Sequence, residues 1–191
     1  MSHIEDMAEP NLELAIEFAV QAHRSQYRDG DHPLPYITHP LDVLANLRYT
    51  GQVTDPAVLC TAVLHDVVEE SGIENEEIQA RFGDRVAELV KELTRVEPTL
   101  AEKEGMTKDQ VWELRSKMLL EEIAQMSPTA QTVKLADRLS NLFEATRVKN
   151  GKKLGRYNAQ TEKILKIIPK KVNPDLWQAV ADLQARVAKS L

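Results

Sequence analysis

Residues 63–71, "VLHDVVEES", carry the reading on which the fold turns. Val63, Leu64, Val67 and Val68 are apolar, as in a buried helix, yet His65, Asp66, Glu69 and Glu70 sit among them with no lysine or arginine. At helical spacing His65 pairs with Glu69, Asp66 with Glu70, and Asp66 with Glu69, so one face presents imidazole and carboxylates. Burying several carboxylates together is costly unless a cation or protons compensate. A divalent metal is one answer. An acidic surface patch beside a single core histidine is the other, and the His-Asp dipeptide alone does not separate them.

Working outward, the pattern predicts helices nearly everywhere. Residues 11–24 are amphipathic with Asn11 as N-cap; "DGDHPLPYITHP" is a proline- and glycine-rich loop; Pro40 opens a helix that stops near Gly51. One continuous helix is expected over 55–70, with Asp55 as N-cap and Pro56 at its first position. A short helix closes at Gly83 and another is capped by Asp84. The polar, aperiodic segment 97–109 reads as a mobile loop. Helices over 110–125, 128–147, 157–168 and 174–190 complete an all-α helical bundle in a single domain, with a core over about 12–147 and a basic helical extension over 148–191.

The 191 residues suffice for one sizeable core, and 42% hydrophobic with 28% charged residues is ordinary for a soluble protein. The net charge of −6 argues against general nucleic-acid binding, and no apolar run is long enough for a membrane helix. Cys60 is alone and apolar-flanked, a core residue rather than half of a disulfide, and the acidic start "MSHIEDMAEP" is unlike a signal peptide. The expected setting is the cytoplasm, and a homo-oligomer is open. Charge is uneven: residues 66–78 hold six acids and no base, and 147–171 hold nine bases and one acid. The basic stretch is either a solvated helix face or an attractor for a polyanion.

Two further segments complete a constellation. "YITHPLDVL" places His39 at a helix entry, and "VKLADRLSNLF" puts Lys134, Asp137, Arg138 and Asn141 on one polar face, with Val133, Ala136, Leu139, Leu142 and Phe143 on the apolar side. Two histidines and two aspartates from three helices suit Mn²⁺, Fe²⁺, Zn²⁺ or Mg²⁺. The order H…HD…D, with gaps of 26 (39 to 65) and 71 (66 to 137) residues, resembles the HD phosphohydrolase superfamily. "PYITHPL", "AVLHDVVEE", "RFGDRVAELVKELT" and "VKLADRLSNL" resemble the hydrolase domain of RelA/SpoT proteins and the small alarmone hydrolases, over roughly residues 12–147.

The resemblance implies that His39, His65, Asp66 and Asp137 hold one Mn²⁺ and that Glu69 and Glu70 assist attack by a metal-activated water. Glu70 stands where the family has aspartate. It implies that Arg28 packs on a purine and Asn141 meets the ribose; Lys134 either meets phosphate or pairs with an acid. Asp29 replaces a usual lysine, and Glu144 falls where a base-contacting side chain often sits. The implied activity is removal of pyrophosphate from the 3′ position of (p)ppGpp. Another phosphorylated nucleotide (an adenosine alarmone, NADPH or a nucleoside monophosphate) is the nearest alternative, and a non-catalytic nucleotide sensor is a further one.

Overall fold

Asn11 opens the first helix: its side-chain oxygen accepts the Leu14 amide at 3.1 Å, and α1 runs Leu12–Ala22. The computed structural model describes residues 9–191, so most of the acidic segment 1–10 lies outside the described residues. Helix α2 spans Thr38–Ala45, beginning two residues before Pro40, and widens into a π-type turn at Asn46–Thr50. The Gly51 amide closes that turn on the Asn46 carbonyl at 2.9 Å. Then come α3 (Pro56–Leu64), α4 (Val67–Ser71), α5 (Asn75–Phe82), α6 (Asp84–Leu93), α7 (Leu100–Lys103), α8 (Lys108–Gln125), α9 (Pro128–Val148), α10 (Gly151–Ile167), a 3₁₀ turn (Lys170–Val172) and α11 (Pro174–Ser190). Among the described residues no β-strand forms; one isolated antiparallel bridge joins Tyr27 to Pro35. The fold is all-α, as expected.

Helix α3 is apolar all round, and every residue from Ala57 to Leu64 is buried. A helix of that kind belongs inside a fold. Val58, Leu59 and Ala62 share one core with Leu89 and Leu93 of α6 and with Val133 and Ala136 of α9. Ala57, Cys60, Val63 and Leu64 share another with Ala15 and Ala19 of α1, Phe82 of α5 and Val86 of α6. Helix α9, 21 residues long, packs against α2, α3, α6, α10 and α11. Ile164 of α10 with Leu176 and Val180 of α11 joins the first core, so the C-terminal helices hold α9 from behind.

Several expectations give way. The helix expected over 55–70 is two, broken at His65–Asp66. The Nδ1 of His65 binds the Ala62 carbonyl at 2.8 Å, the acceptor that the Asp66 amide would use in a continuous helix. The first helix ends at Ala22, and Gly83 rather than Asp84 takes the cap position of α6. Segment 97–109 is not a structureless loop: Thr99 with Glu102 and Thr107 with Gln110 form capping boxes that start α7 and α8. Helix α10 begins six residues before the expected position 157, and Phe143 is 52% exposed, under Arg147 rather than in the core.

Candidate active site

The break in the α3–α4 segment is what exposes the cluster. A carbonyl only accepts, so the His65 Nδ1 that binds Ala62 carries the ring hydrogen. Its Nε2 is the ring atom left for a ligand, buried and without a hydrogen-bond partner. That nitrogen faces two carboxylates: Asp66 Oδ1 at 3.2 Å and Asp137 Oδ1 at 3.9 Å. From α2, His39 turns Nδ1 toward Ser140 Oγ (3.1 Å) and Nε2 toward Asp137 Oδ1 (3.3 Å) and Asp66 Oδ2 (3.5 Å). His39, His65 and Asp137 each offer a ligand atom, and these atoms lie within 4.8 Å of one another. Two carboxylates converging on imidazole nitrogens in a buried space call for positive charge among them, from a metal or, without one, from protons on the rings. The donor set therefore fits a divalent metal.

The carboxylates are held ionised. Burial alone raises Asp137, but the Lys134 ammonium (Nζ to Oδ2, 3.0 Å) and the two imidazoles outweigh it and keep it well below the ordinary range. Burial likewise opposes ionisation of Asp66, and His65 and His39 overcome it. Asn141 donates Nδ2 to Asp137 Oδ1, and the Tyr36 hydroxyl donates to Asp66 Oδ2 at 2.8 Å. Lys134 thus pairs with an acid, one of the two readings its sequence allowed.

These groups open into a cleft of about 400 Å³. The loop between α1 and α2 forms one wall and is pinned to α4 by Gln26 Nε2 on the Glu70 carbonyl (2.7 Å). Arg28 on that loop lies over the Tyr36 ring, 5.3 Å from its centroid, and donates Nε to Glu144 (2.8 Å) and Nη2 to Asn141 Oδ1 (2.9 Å). So the structure brings Arg28, Asn141 and Glu144 together. Glu69 accepts from Arg95 Nε at 3.1 Å, while Glu70 sits at the rim, where partial desolvation and then the charges of Glu69 and Asp66 push its carboxyl upward. The cleft is lined by six acids (Asp29, Asp66, Glu69, Glu70, Asp137, Glu144) and six bases (Arg28, Arg95, Arg115, Lys134, Arg138, Lys149), so without a metal it has no surplus of positive charge. Of the basic stretch 147–171 only Lys149 is among the lysines and arginines lining it; Lys152 and Arg156 instead bind Asp109 on α8.

Sequence reasoning missed Tyr36, Arg95, Arg115 and the buried Arg138 as site residues. Tyr36 had a signal, three residues before His39 in a loop that must turn sharply into α2. Arg138 was visible on the polar face of α9 but had no partner to suggest a role. Arg95, two residues past the end of α6, and Arg115 on α8 reach the cleft by tertiary packing alone.

Comparison with known proteins bears on this geometry. A family model described as "HD domain" matches residues 15–166. The chain is 38% identical over 133 residues to guanosine-3′,5′-bis(diphosphate) 3′-pyrophosphohydrolase MESH1 of Xenopus tropicalis, covering 70% of this chain and 68% of the relative. The Homo sapiens protein of that name is 37% identical over the same shares. Among solved structures, one described as a metazoan ortholog of SpoT that hydrolyzes ppGpp superposes with a TM-score of 0.78 at 26% identity, covering 92% of this chain and 94% of the other.

Proposed function

This chain belongs to the HD domain family, and from that premise we propose that it is a divalent-metal-dependent 3′-pyrophosphohydrolase of guanosine 3′,5′-bis(diphosphate). Water attacks at phosphorus, the bond between the ribose 3′ oxygen and the diphosphate breaks, and GDP and pyrophosphate leave. The observation that carries the reading is the buried Nε2 of His65, without a hydrogen-bond partner, facing the carboxylates of Asp66 and Asp137. Similarity to relatives named for this reaction supports the substrate.

In this reading His39, His65, Asp66 and Asp137 hold the cation, with Mn²⁺ as the native ion. Such a cation supplies Lewis acidity and a water that ionises near neutral pH. Tyr36 and Asn141 keep Asp66 and Asp137 turned inward through their hydrogen bonds. Glu70, with its raised affinity for a proton and its place at the rim of the cleft, accepts the proton of the attacking water. Glu69, fixed by Arg95, orients that water beside it. Arg28 offers a flat cationic face to the purine, Asn141 meets the ribose, and Lys134 has an ammonium free to turn from Asp137 to phosphate once a metal takes that carboxylate. The absence, among the described residues, of a helix long and apolar enough to cross a membrane agrees with a cytoplasmic enzyme acting on a small nucleotide.

Glu144 grips Arg28, placing an acceptor-only carboxylate beside the proposed stacking face, where it can accept from the N1–H and N2–H2 donors of a guanine. Chelation tests the main reading. Stripping the protein abolishes pyrophosphate release from guanosine 3′,5′-bis(diphosphate), and Mn²⁺ restores it above Mg²⁺ or Zn²⁺. Full activity in the stripped protein would overturn the metal assignment.

A further inference from the structure

Arg138 is a buried cation without an anion. It follows Asp137 on α9, lies one turn beyond Lys134, and is 4% exposed. Its Nη2 donates to Gln160 Oε1 at 2.9 Å, and Gln160 Nε2 in turn donates to Ser116 Oγ at 2.8 Å. The guanidinium lies over the Tyr157 ring, 4.4 Å from its centroid. These partners fix the plane of the guanidinium but bring no charge. No carboxylate oxygen among the described residues lies within 4.0 Å of its guanidinium nitrogens, and its Nη1 is buried with no hydrogen-bond partner.

A guanidinium cannot escape by losing its proton. An unpaired buried charge with an unmade hydrogen bond is among the most costly arrangements in a fold, so its survival asks for a compensating ligand. Arg138 lines the same cleft as Asp66, Lys134 and Asp137. Arg28, Asn141 and Glu144 are bound to one another elsewhere in that cleft, whereas Arg138 is held by residues of α8 and α10.

We infer that Arg138 is a built oxyanion site whose Nη1 binds the diphosphate group that departs as inorganic pyrophosphate. The proposed reaction supplies the identity of that anion; the unpaired Nη1 supplies the site. A charge-assisted hydrogen bond to a phosphate oxygen is strong and directional, and the Gln160–Ser116 chain with the Tyr157 ring holds the donor ready for it. Arg138 then steadies negative charge on the leaving side, away from the purine.

The test is calorimetric titration of inorganic pyrophosphate, and separately GDP, into the Mn²⁺-loaded wild type and Arg138→Gln, with melting temperatures measured with and without pyrophosphate. Arg138→Gln weakens pyrophosphate about 10- to 100-fold, leaves GDP and Mn²⁺ affinity within about twofold, and loses the thermal stabilisation that pyrophosphate gives. Pyrophosphate affinity within about twofold of wild type, with a lowered melting temperature, would make Arg138 a packing residue and overturn the inference. A loss confined to GDP would overturn it too, by moving the anion to the 5′ side. If Arg138→Gln does not fold, Arg138→Lys, which keeps the charge but loses the Nη1 arm, decides on the same readout: weaker pyrophosphate binding supports the site and unchanged binding overturns it. Because pyrophosphate binding needs no turnover, Arg138-dependent binding by a protein that leaves guanosine 3′,5′-bis(diphosphate) intact would support the site while overturning the proposed reaction.

Discussion

Tyr36→Phe removes one oxygen from the wall of the cluster and little else. The hydroxyl donates to Asp66 Oδ2 at 2.8 Å, while the ring stacks on His23 with centroids 4.7 Å apart and lies under the Arg28 guanidinium. Phenylalanine keeps the ring and its contacts, so no cavity opens. Burial, and then the charge of Asp66, push the Tyr36 hydroxyl upward, so it remains a donor at any working pH. The loss is one hydrogen bond to a charged acceptor, about 1.5–3 kcal/mol. Asp66 is then free to turn away, and most of that loss falls on the metal. At about 1.4 kcal/mol per factor of ten, Mn²⁺ affinity drops about 10- to 100-fold, the range usual for residues that orient a ligand. The melting temperature of the metal-free protein falls by only a few degrees, since about 1 kcal/mol moves a chain of this size by roughly 2–4 °C. Competition with a chelating dye gives the affinity, and differential scanning fluorimetry gives the melting temperature. Mn²⁺ affinity within about twofold of wild type would refute the reasoning that Tyr36 sets the position of Asp66.

Glu70→Gln lowers kcat by about 10²–10⁴-fold with Mn²⁺ affinity unchanged, because it removes the proton acceptor and leaves the ligand set whole; steady-state kinetics beside metal titration checks this. Gly51→Ala destabilises the fold by about 1–3 kcal/mol, read from the urea midpoint, because the added carbon would lie 2.6 Å from Leu176 Cδ1 and 3.0 Å from the Leu47 carbonyl in a packed core.

The helices were legible where apolar spacing and caps agreed. Asn11, Asp55 with Pro56, and the greasy run into Leu64 announced α1 and α3 in the open. The break at His65–Asp66 was not legible, because it depends on a side chain taking the Ala62 carbonyl, and spacing sees only residue types. The capping box at Thr99 and Glu102 was present in the sequence but lay in a polar stretch without periodicity, where a four-residue helix leaves no moment to detect. His39, His65, Asp66 and Asp137 were found because three segments each carried a ligand-type residue in a fixed order, and the fold brings them together. Their roles remain those proposed above. Of the cleft's cations, Arg28 and Lys134 were named from the sequence, whereas Arg95, past the end of α6, and Arg115 of α8 arrive by tertiary packing. Of the bases in the stretch 147–171, read as either a solvated face or a polyanion attractor, only Lys149 lines the cleft, and Lys152 and Arg156 pair with Asp109.

The most direct test is the identity of the products. Mn²⁺-loaded protein incubated with guanosine 3′,5′-bis(diphosphate), its products resolved by anion-exchange chromatography, gives GDP and inorganic pyrophosphate in equal amounts and in one step. Stepwise orthophosphate release, or cleavage of a nucleoside 5′-monophosphate with no action on any 3′-diphosphate, would contradict the account.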